Sequence, residues 1–172
     1  DKKPGDKEIK ETIIFYNEND KYDYKRPQTL YDYRSAVICF PNNFVCDDYE
    51  EGIIRVTFIA NSEKWNELDK KTYLQNKQEV RDKALALVAR LFPEFQANLL
   101  YHDVFTPITI TRFTGHFDGA VYGTTQKARD GRTGIKNLFI CGTDQGFLGI
   151  VGAMLSGISM ANLHCLMKGE KA

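Results

Sequence analysis

From residue 146 to residue 163 the chain carries no charged side chain, and small residues recur at Gly149, Gly152, Ala153, Ser156, Gly157 and Ala161. Just ahead of it, residues 138–141 (Leu-Phe-Ile-Cys) form an apolar run long enough for a buried strand and too short for a helix. Gly142, Thr143 and Asp144 interrupt that run with turn chemistry and offer a helix N-cap. The pattern predicts a strand, a tight turn and a helix whose first turn is free of bulk. Unpaired N–H groups and a partial positive charge at such a helix start suit an electron-rich ligand. Small residues along one face let a backbone or a flat ring come close.

Three readings fit this stretch. It is a core strand and helix of a globular domain, a membrane span, or a helix that contacts a cofactor. The span reading draws on a length near the ~18-residue threshold and on the small-residue spacings Gly149-x-x-Gly152 and Ala153-x-x-x-Gly157. Against it stand the glycines and serines that dilute hydrophobicity, with Asn162 and His164 at its end.

The remaining composition sets bounds. A chain of 172 residues with 42% hydrophobic and 12% aromatic content can bury one core. Lysine plus arginine balance aspartate plus glutamate at 23 each, so charge does not favour nucleic acid or an anionic surface as partner. Cys39, Cys46, Cys141 and Cys165 form no C-x-x-C pair; buried, reduced thiols are expected, which points to the cytoplasm, and no metal site is expected.

Taken in order, residues 1–10 are charged and read as a loosely held start. Residues 12–16 and 35–40 read as strands, the second with Ala36, Ile38 and Phe40 on one face. Between them Tyr22, Tyr24, Tyr31 and Tyr33 lie in a polar excursion, where packing is the commoner role for tyrosine than ligand stacking. Asp47 and Asp48 read as a solvated turn. Residues 53–61 alternate cleanly and are expected to pair antiparallel with the preceding strand. Thr72-Tyr-Leu-Gln75 has the form of a capping box, although Asp69 would start the same helix a turn earlier. Tyr73, Val80, Ala84, Leu87, Val88 and Leu91 then recur at helical spacing up to Pro93. Residues 99–104 read as a fourth strand; its His102 and Asp103 would point to opposite faces and so could not serve one reacting atom. Thr106-Pro107 is a helix start, while the β-branched run after it argues for strand. The glycine-rich residues 115–134, with Arg112, Lys127, Arg129 and Arg132, suit either a phosphate-contacting loop or an ordinary connector. The basic tail at 168–171 suits a helix C-terminus.

The segment Gly142-Thr-Asp-Gln-Gly-Phe-Leu-Gly-Ile-Val-Gly-Ala-Met-Leu-Ser-Gly157 resembles the C-terminal flavin motif of FAD-dependent oxidoreductases of the phytoene desaturase, carotenoid isomerase and retinol saturase group, more distantly related to flavin-containing amine oxidases. Asp103-Val-Phe-Thr-Pro-Ile-Thr-Ile-Thr-Arg-Phe-Thr-Gly115 and Gly119-Ala-Val-Tyr-Gly123 match the same group in the same order. The resemblance is concentrated in residues 99–163. It implies a short helix after Thr106-Pro107, and Thr106, Pro107 and Tyr122 near the substrate or flavin. It also implies that Gly142, Thr143, Asp144, Gly149, Ile150 and Val151 contact the cofactor: Asp144 at the ribityl or diphosphate-proximal part of FAD, the amides of 149–151 at the pyrimidine edge of the flavin. It assigns no acid–base residue. Gly-Thr-Asp stands where the amine-oxidase branch usually has Gly-Glu, which counts against an amine substrate.

The glycine fingerprint G-x-G-x-x-G, which holds the dinucleotide in this group, does not occur in the 172 residues. The resemblance therefore implies the C-terminal portion of a flavoprotein whose N-terminal FAD-binding part lies elsewhere. Residues 1–136 would belong mainly to the substrate domain and residues 137–172 to the FAD-binding domain. The expected fold class is α+β, a mixed, largely antiparallel sheet with flanking helices plus the closing strand, turn and helix. The expected activity is oxidation, reduction or isomerisation at C–C bonds of an apolar, isoprenoid-like substrate. Parted from the N-terminal FAD-binding part, the closing helix's apolar faces would bury against this chain or against another copy in a homo-oligomer, and peripheral membrane association is a further expectation. The rival expectation is a non-catalytic interaction domain that docks through that helix.

Overall fold

The computed structural model describes residues 9–44, 50–93 and 99–167. Asp47, Asp48, Cys46 and the basic tail lie outside them. The chain divides into two compact units, Asp1–Thr109 and Ile110–Ala172.

The first unit is built on a three-stranded antiparallel sheet in the order β1-β2-β3, from β1 (Ile13–Asn17), β2 (Tyr31–Cys39) and β3 (Arg55–Ala60). Ile14 pairs with Ile38, and Ile38 with Val56, so alternate side chains of all three strands share one face. That face carries the core: Ala36, Ile38, Phe40, Leu87 and Ile9 are buried, with Ile14, Tyr16, Val56 and Phe58 packed against them. Burial of Ile9 corrects the reading of residues 1–10 as loosely held throughout: this one branched side chain belongs to the core.

β2 begins four residues earlier than its hydrophobic alternation suggests. The pairing slips between Asp32 and Val37. Asp32 Oδ1 accepts the Arg34 N–H at 3.0 Å and Oδ2 accepts the Ser35 hydroxyl at 3.1 Å, which hides a strand behind turn chemistry. Partial burial opposes ionisation of Asp32, but these hydrogen bonds and the Arg34 charge outweigh it and hold the carboxyl below its usual range. Tyr31, placed in the loop by sequence, is buried in β2 against Phe58. Burial first, then the Glu79 carboxylate, push its phenol up to about 12.

A short helix with no clear sequence signature, α1 (Ser62–Asn66), follows β3. Asn61 caps it by accepting the Lys64 N–H at 3.2 Å. Its Trp65 is buried and donates its indole N–H to the Leu30 carbonyl at 3.0 Å. Helix α2 (Lys70–Leu91) then covers the sheet through Leu87 and Leu91. Asp69 caps it, accepting from the Lys71 and Thr72 amides at 2.8 and 3.1 Å. The helix thus starts a turn ahead of Thr72-Gln75, because a carboxylate accepting two amides outcompetes a hydroxyl accepting one. The Thr72 hydroxyl, then its amide, keep the Asp69 carboxyl below its usual range, so this cap is intact above the ordinary carboxylate pKa and weakens as pH falls through the lowered one.

Residues 99–104 are not a strand. Among the described residues no ladder takes them up, and Leu100 and Tyr101 are exposed. Helix α3 (Pro107–Thr114) does follow Thr106 and ends in the second unit.

The described part of the second unit comprises the end of α3, a long irregular stretch with a short helical turn at Phe117–Gly119, and α4 (Gly149–Ala161), which runs on through a wider π turn at Asn162–Leu166. The expected strand at 138–141 reduces to a single bridge between Arg132 and Phe139, joined by the Ile140 N–H on the Gly131 carbonyl at 2.7 Å. An apolar run becomes a strand only where other strands take up its backbone groups, and no ladder occurs among the described residues of this unit. The observed class is α+β with an antiparallel sheet. The segment 149–166 is long and apolar enough to cross a membrane, and only 17% of it is buried.

The sheet predicts an asymmetric response to truncation. Phe40 is fully buried, edge-on to Phe92 at 5.3 Å, whereas Phe15 on the opposite face is 81% exposed. Phe40→Ala is expected to lower unfolding stability by about 3–5 kcal/mol, and Phe15→Ala by no more than about 0.5 kcal/mol. Urea titration measures both; equal losses would show that the outer face of the sheet is covered.

Candidate functional site

The α4 helix starts abruptly. Leu148, in extended conformation, precedes it and offers no side-chain cap, and among the described residues no side chain accepts from its first amides. Asp144 is therefore not the N-cap its turn position suggested. Gly149 enters the helix at φ +74°, a conformation L side chains rarely adopt. A Cβ placed on Gly142, Gly146 or Gly149 would meet no atom within 4 Å, so the backbone there faces open space. Ile150 and Val151, next in the helix, are both exposed.

Asp144 has a different employment. Its Oδ1 accepts the Thr124 N–H at 2.7 Å, and its carbonyl accepts the Ala128 N–H at 3.0 Å. Lys127 donates to two carbonyls, Tyr122 at 2.6 Å and Thr143 at 2.9 Å. Gly123, at φ +73°, lies so close that a Cβ would come within 2.1 Å of Asp144 Oδ1 and 3.1 Å of Thr143 Oγ1. The segments 119–123 and 142–144, far apart in sequence, are thus fitted to each other, and the second glycine of Gly119-x-x-x-Gly123 is needed for that approach. Lys127 serves the loop's own carbonyls and Arg132 pairs with Asp130 at 3.5 Å, so the basic residues of 115–134 act in part as internal ties.

A second layer lies behind the loop. Ser156, fully buried in α4, accepts the Gly142 N–H at 2.7 Å and donates to Gln145 Oε1 at 2.9 Å. Gln145 Nε2 donates in turn to the Arg129 carbonyl at 2.5 Å. Further along, His164 is buried, donates to the Asp130 carbonyl at 2.6 Å and stacks on Phe139 at 3.9 Å. Sequence reasoning missed Gln145, Ser156, Lys127 and His164 as structural partners. The signal was a serine inside an apolar, uncharged helix, where a buried hydroxyl must find a partner.

Of the residues singled out by sequence, Gly142, Thr143, Asp144 and Tyr122 come together through Lys127 and Asp144, and Gly149, Ile150 and Val151 form the adjoining helix start. Thr106 and Pro107 belong to the first unit. There Thr106 is buried and works in a reciprocal cap: Thr109 N–H reaches its hydroxyl at 3.3 Å, and its own N–H reaches Thr109 Oγ1 at 3.2 Å. Its hydroxyl also meets the Tyr73 hydroxyl at 3.1 Å. These bonds fix the start of α3.

His102 and Asp103, expected on opposite faces, both turn towards α2 because their segment is not a strand. Asp103 meets Lys77 at 3.4 Å and His102 Nε2 meets Arg81 at 3.4 Å, beside a small groove lined also by Leu74, Gln78 and Val104. The Val104 amide, then the Lys77 ammonium, hold the Asp103 carboxyl below its usual range. Cys141 and Cys165 are exposed and Cys39 half-buried, all three free thiols, which corrects the expectation of buried cysteines. Among the described residues no three histidine, cysteine or carboxylate side chains cluster as a metal site.

Compared with protein-family models, with curated proteins and with solved structures, the chain matches none.

The fit of Gly123 against Asp144 yields a coupling test. Gly123→Ala is expected to cost the left-handed backbone strain of about 1–2 kcal/mol plus a steric penalty against the carboxylate. In an Asp144→Ala background the steric part disappears, so the two losses add to less than their sum. A double-mutant cycle by chemical denaturation reads the coupling; strict additivity would separate the two segments.

Proposed function

We propose that this chain is the C-terminal part of an FAD-dependent oxidoreductase that acts on C–C bonds of an apolar, isoprenoid-like substrate. The observation that carries the reading is the pairing of an open, glycine-lined backbone at Gly142, Gly146 and Gly149 with an uncapped helix start. Such a donor set fits an isoalloxazine edge: amides without a side-chain cap, a partial positive charge, and no Cβ in the path of a flat ring. The amides of Gly149, Ile150 and Val151 would meet the pyrimidine edge, where negative charge gathers on reduction. Gly142 and Thr143 would line the approach. Asp144, with one carboxylate oxygen engaged by Thr124, would offer its other oxygen to a ribityl hydroxyl. When bound, the flavin supplies the hydride and electron chemistry, and these residues orient it and set its electrostatics.

Thr106 and Pro107 would act through the backbone at the start of α3, since the Thr106 hydroxyl already serves its cap and Tyr73. Tyr122, exposed beside the Asp144 loop, is the better candidate for direct contact with substrate or flavin. The exposed apolar side chains of α4, among them Ile150, Met154 and Ile158, are taken to pack against the N-terminal FAD-binding part. A cytoplasmic enzyme resting on a membrane that supplies its apolar substrate suits the same face. The second reading, a non-catalytic interaction domain, draws on this exposed face as well; it predicts self-association without flavin.

Two measurements test the proposal. The 172-residue chain alone is expected to bind FAD weakly or not at all, as it lacks the dinucleotide fingerprint; stoichiometric, tight quenching of flavin fluorescence would refute the fragment reading. The protein with its N-terminal part is expected to purify with flavin absorbance. In it, Asp144→Asn should raise the FAD dissociation constant by about one to two orders of magnitude, through loss of a charged acceptor. Unchanged affinity would leave Asp144 a tie to Thr124 and nothing more.

A further inference from the structure

The buried relay behind the loop has a consequence for that site, and it rests on the flavin reading above. Three hydrogen bonds run in one direction through it. The Gly142 amide gives to the Ser156 hydroxyl, the hydroxyl gives to the Gln145 side-chain carbonyl, and the Gln145 amide gives to the Arg129 carbonyl, at 2.7, 2.9 and 2.5 Å. Each side-chain group uses donor and acceptor at once, so no member can be removed without orphaning another. Ser156 is fully buried and Gln145 nearly so, which excludes water as a substitute for either. Ser156 lies about two turns along α4 from Gly149. The loop is therefore held against the body of the helix at one end and joined by chain to the helix start at the other. Gln145 N–H also closes a turn on the Gly142 carbonyl at 3.2 Å. The groups assigned to the flavin fall on both sides of this clamp: Gly142, Thr143 and Asp144 on the loop, and residues 149–151 on the helix.

We propose that Ser156 and Gln145 are positioning residues, which fix the distance between the Asp144 loop and the start of α4 so that one flavin meets both. Neither touches the cofactor. Both act by setting the place of the Gly142 amide, whose left-handed backbone (φ +88°) no regular ladder holds.

The test uses the protein with its N-terminal part and the variants Ser156→Ala, Gln145→Met and the double variant. Three readouts are taken: amide hydrogen exchange at residues 142–145, the FAD dissociation constant, and the reduction potential of the bound flavin. Each single variant is expected to speed exchange at Gly142 and raise the dissociation constant about tenfold. Both should shift the potential in the same direction. The double variant is expected to do no more than either single one, because the relay is already broken. A merely structural role would lower thermal stability while the flavin that remains bound keeps its wild-type potential and affinity; that outcome overturns the proposal and leaves the flavin reading intact. Should Ser156→Ala fail to fold, Gln145→Met, similar in volume and still long enough to fill its site, carries the same test. Wild-type protein that purifies without flavin and binds none overturns both readings, and exchange at Gly142 then reports the clamp as a fold element alone.

Discussion

The second unit has almost no hydrophobic core. Met160 is its one buried apolar side chain among the described residues, while Ser156, Gln145, His164 and Gly131 are buried around it. What fixes its irregular chain is a set of side-chain-to-backbone hydrogen bonds from Ser156, Gln145, Lys127, Asp144 and His164. Each is worth about 0.5–1.5 kcal/mol net, far less than the burial of several large side chains, but each is directional. Such a network gives position more than stability. It suits a backbone that has to present amides at a set place, and the apolar side chains Ile150, Met154 and Ile158 of α4 stay exposed beside it.

The first unit works the other way. Its sheet pairs Ile14, Ile38 and Val56 in one row and lays Leu87 of α2 across them, so burial of branched side chains holds it. This division explains what sequence could reveal. Period-two alternation at Ala36, Ile38 and Phe40, and helical spacing at Tyr73, Val80, Leu87 and Leu91, are direct images of burial, and both elements form where they point. Where polar side chains set the structure, pattern fails: Asp32 masks the start of β2, and Asn61 with a single Trp65 makes a helix too short to show a period.

The same contrast governs the candidate site. Residues 138–141 and 99–104 look like strands because they are apolar or β-branched, yet a strand is a relation between segments: among the described residues 99–104 joins no ladder, and 138–141 pairs only through the single Arg132–Phe139 bridge. Glycines were legible as turns, but not what each glycine is for. At Gly123 and Gly131 a Cβ would collide with Asp144 and Met160, whereas at Gly142, Gly146 and Gly149, as at Gly115 and Gly134, it would meet nothing. Sequence writes both kinds with one letter. Only the fold separates glycines that allow two parts of the chain to touch from glycines that face open space.

That separation bears on the argument for a ligand. A glycine with φ near +70° and a neighbour at 2 Å is explained by packing within the chain. Gly142 and Gly149 have the same kind of backbone, yet their bare Cα atoms face outwards, at the two ends of a loop pinned by Ser156. Left-handed backbone alone accounts for glycine at each of them. It does not account for the buried relay that holds the first against the helix begun by the second, when a flexible connector would join the same two points without orphaning a donor. A bare surface at an uncapped helix start would suit a flat, electron-rich partner, and the exposed apolar face beside it, Ile150 and Val151 onwards, would suit an enclosing domain. Both requirements meet at one helix start, which is why the flavin reading is preferred to a docking face alone.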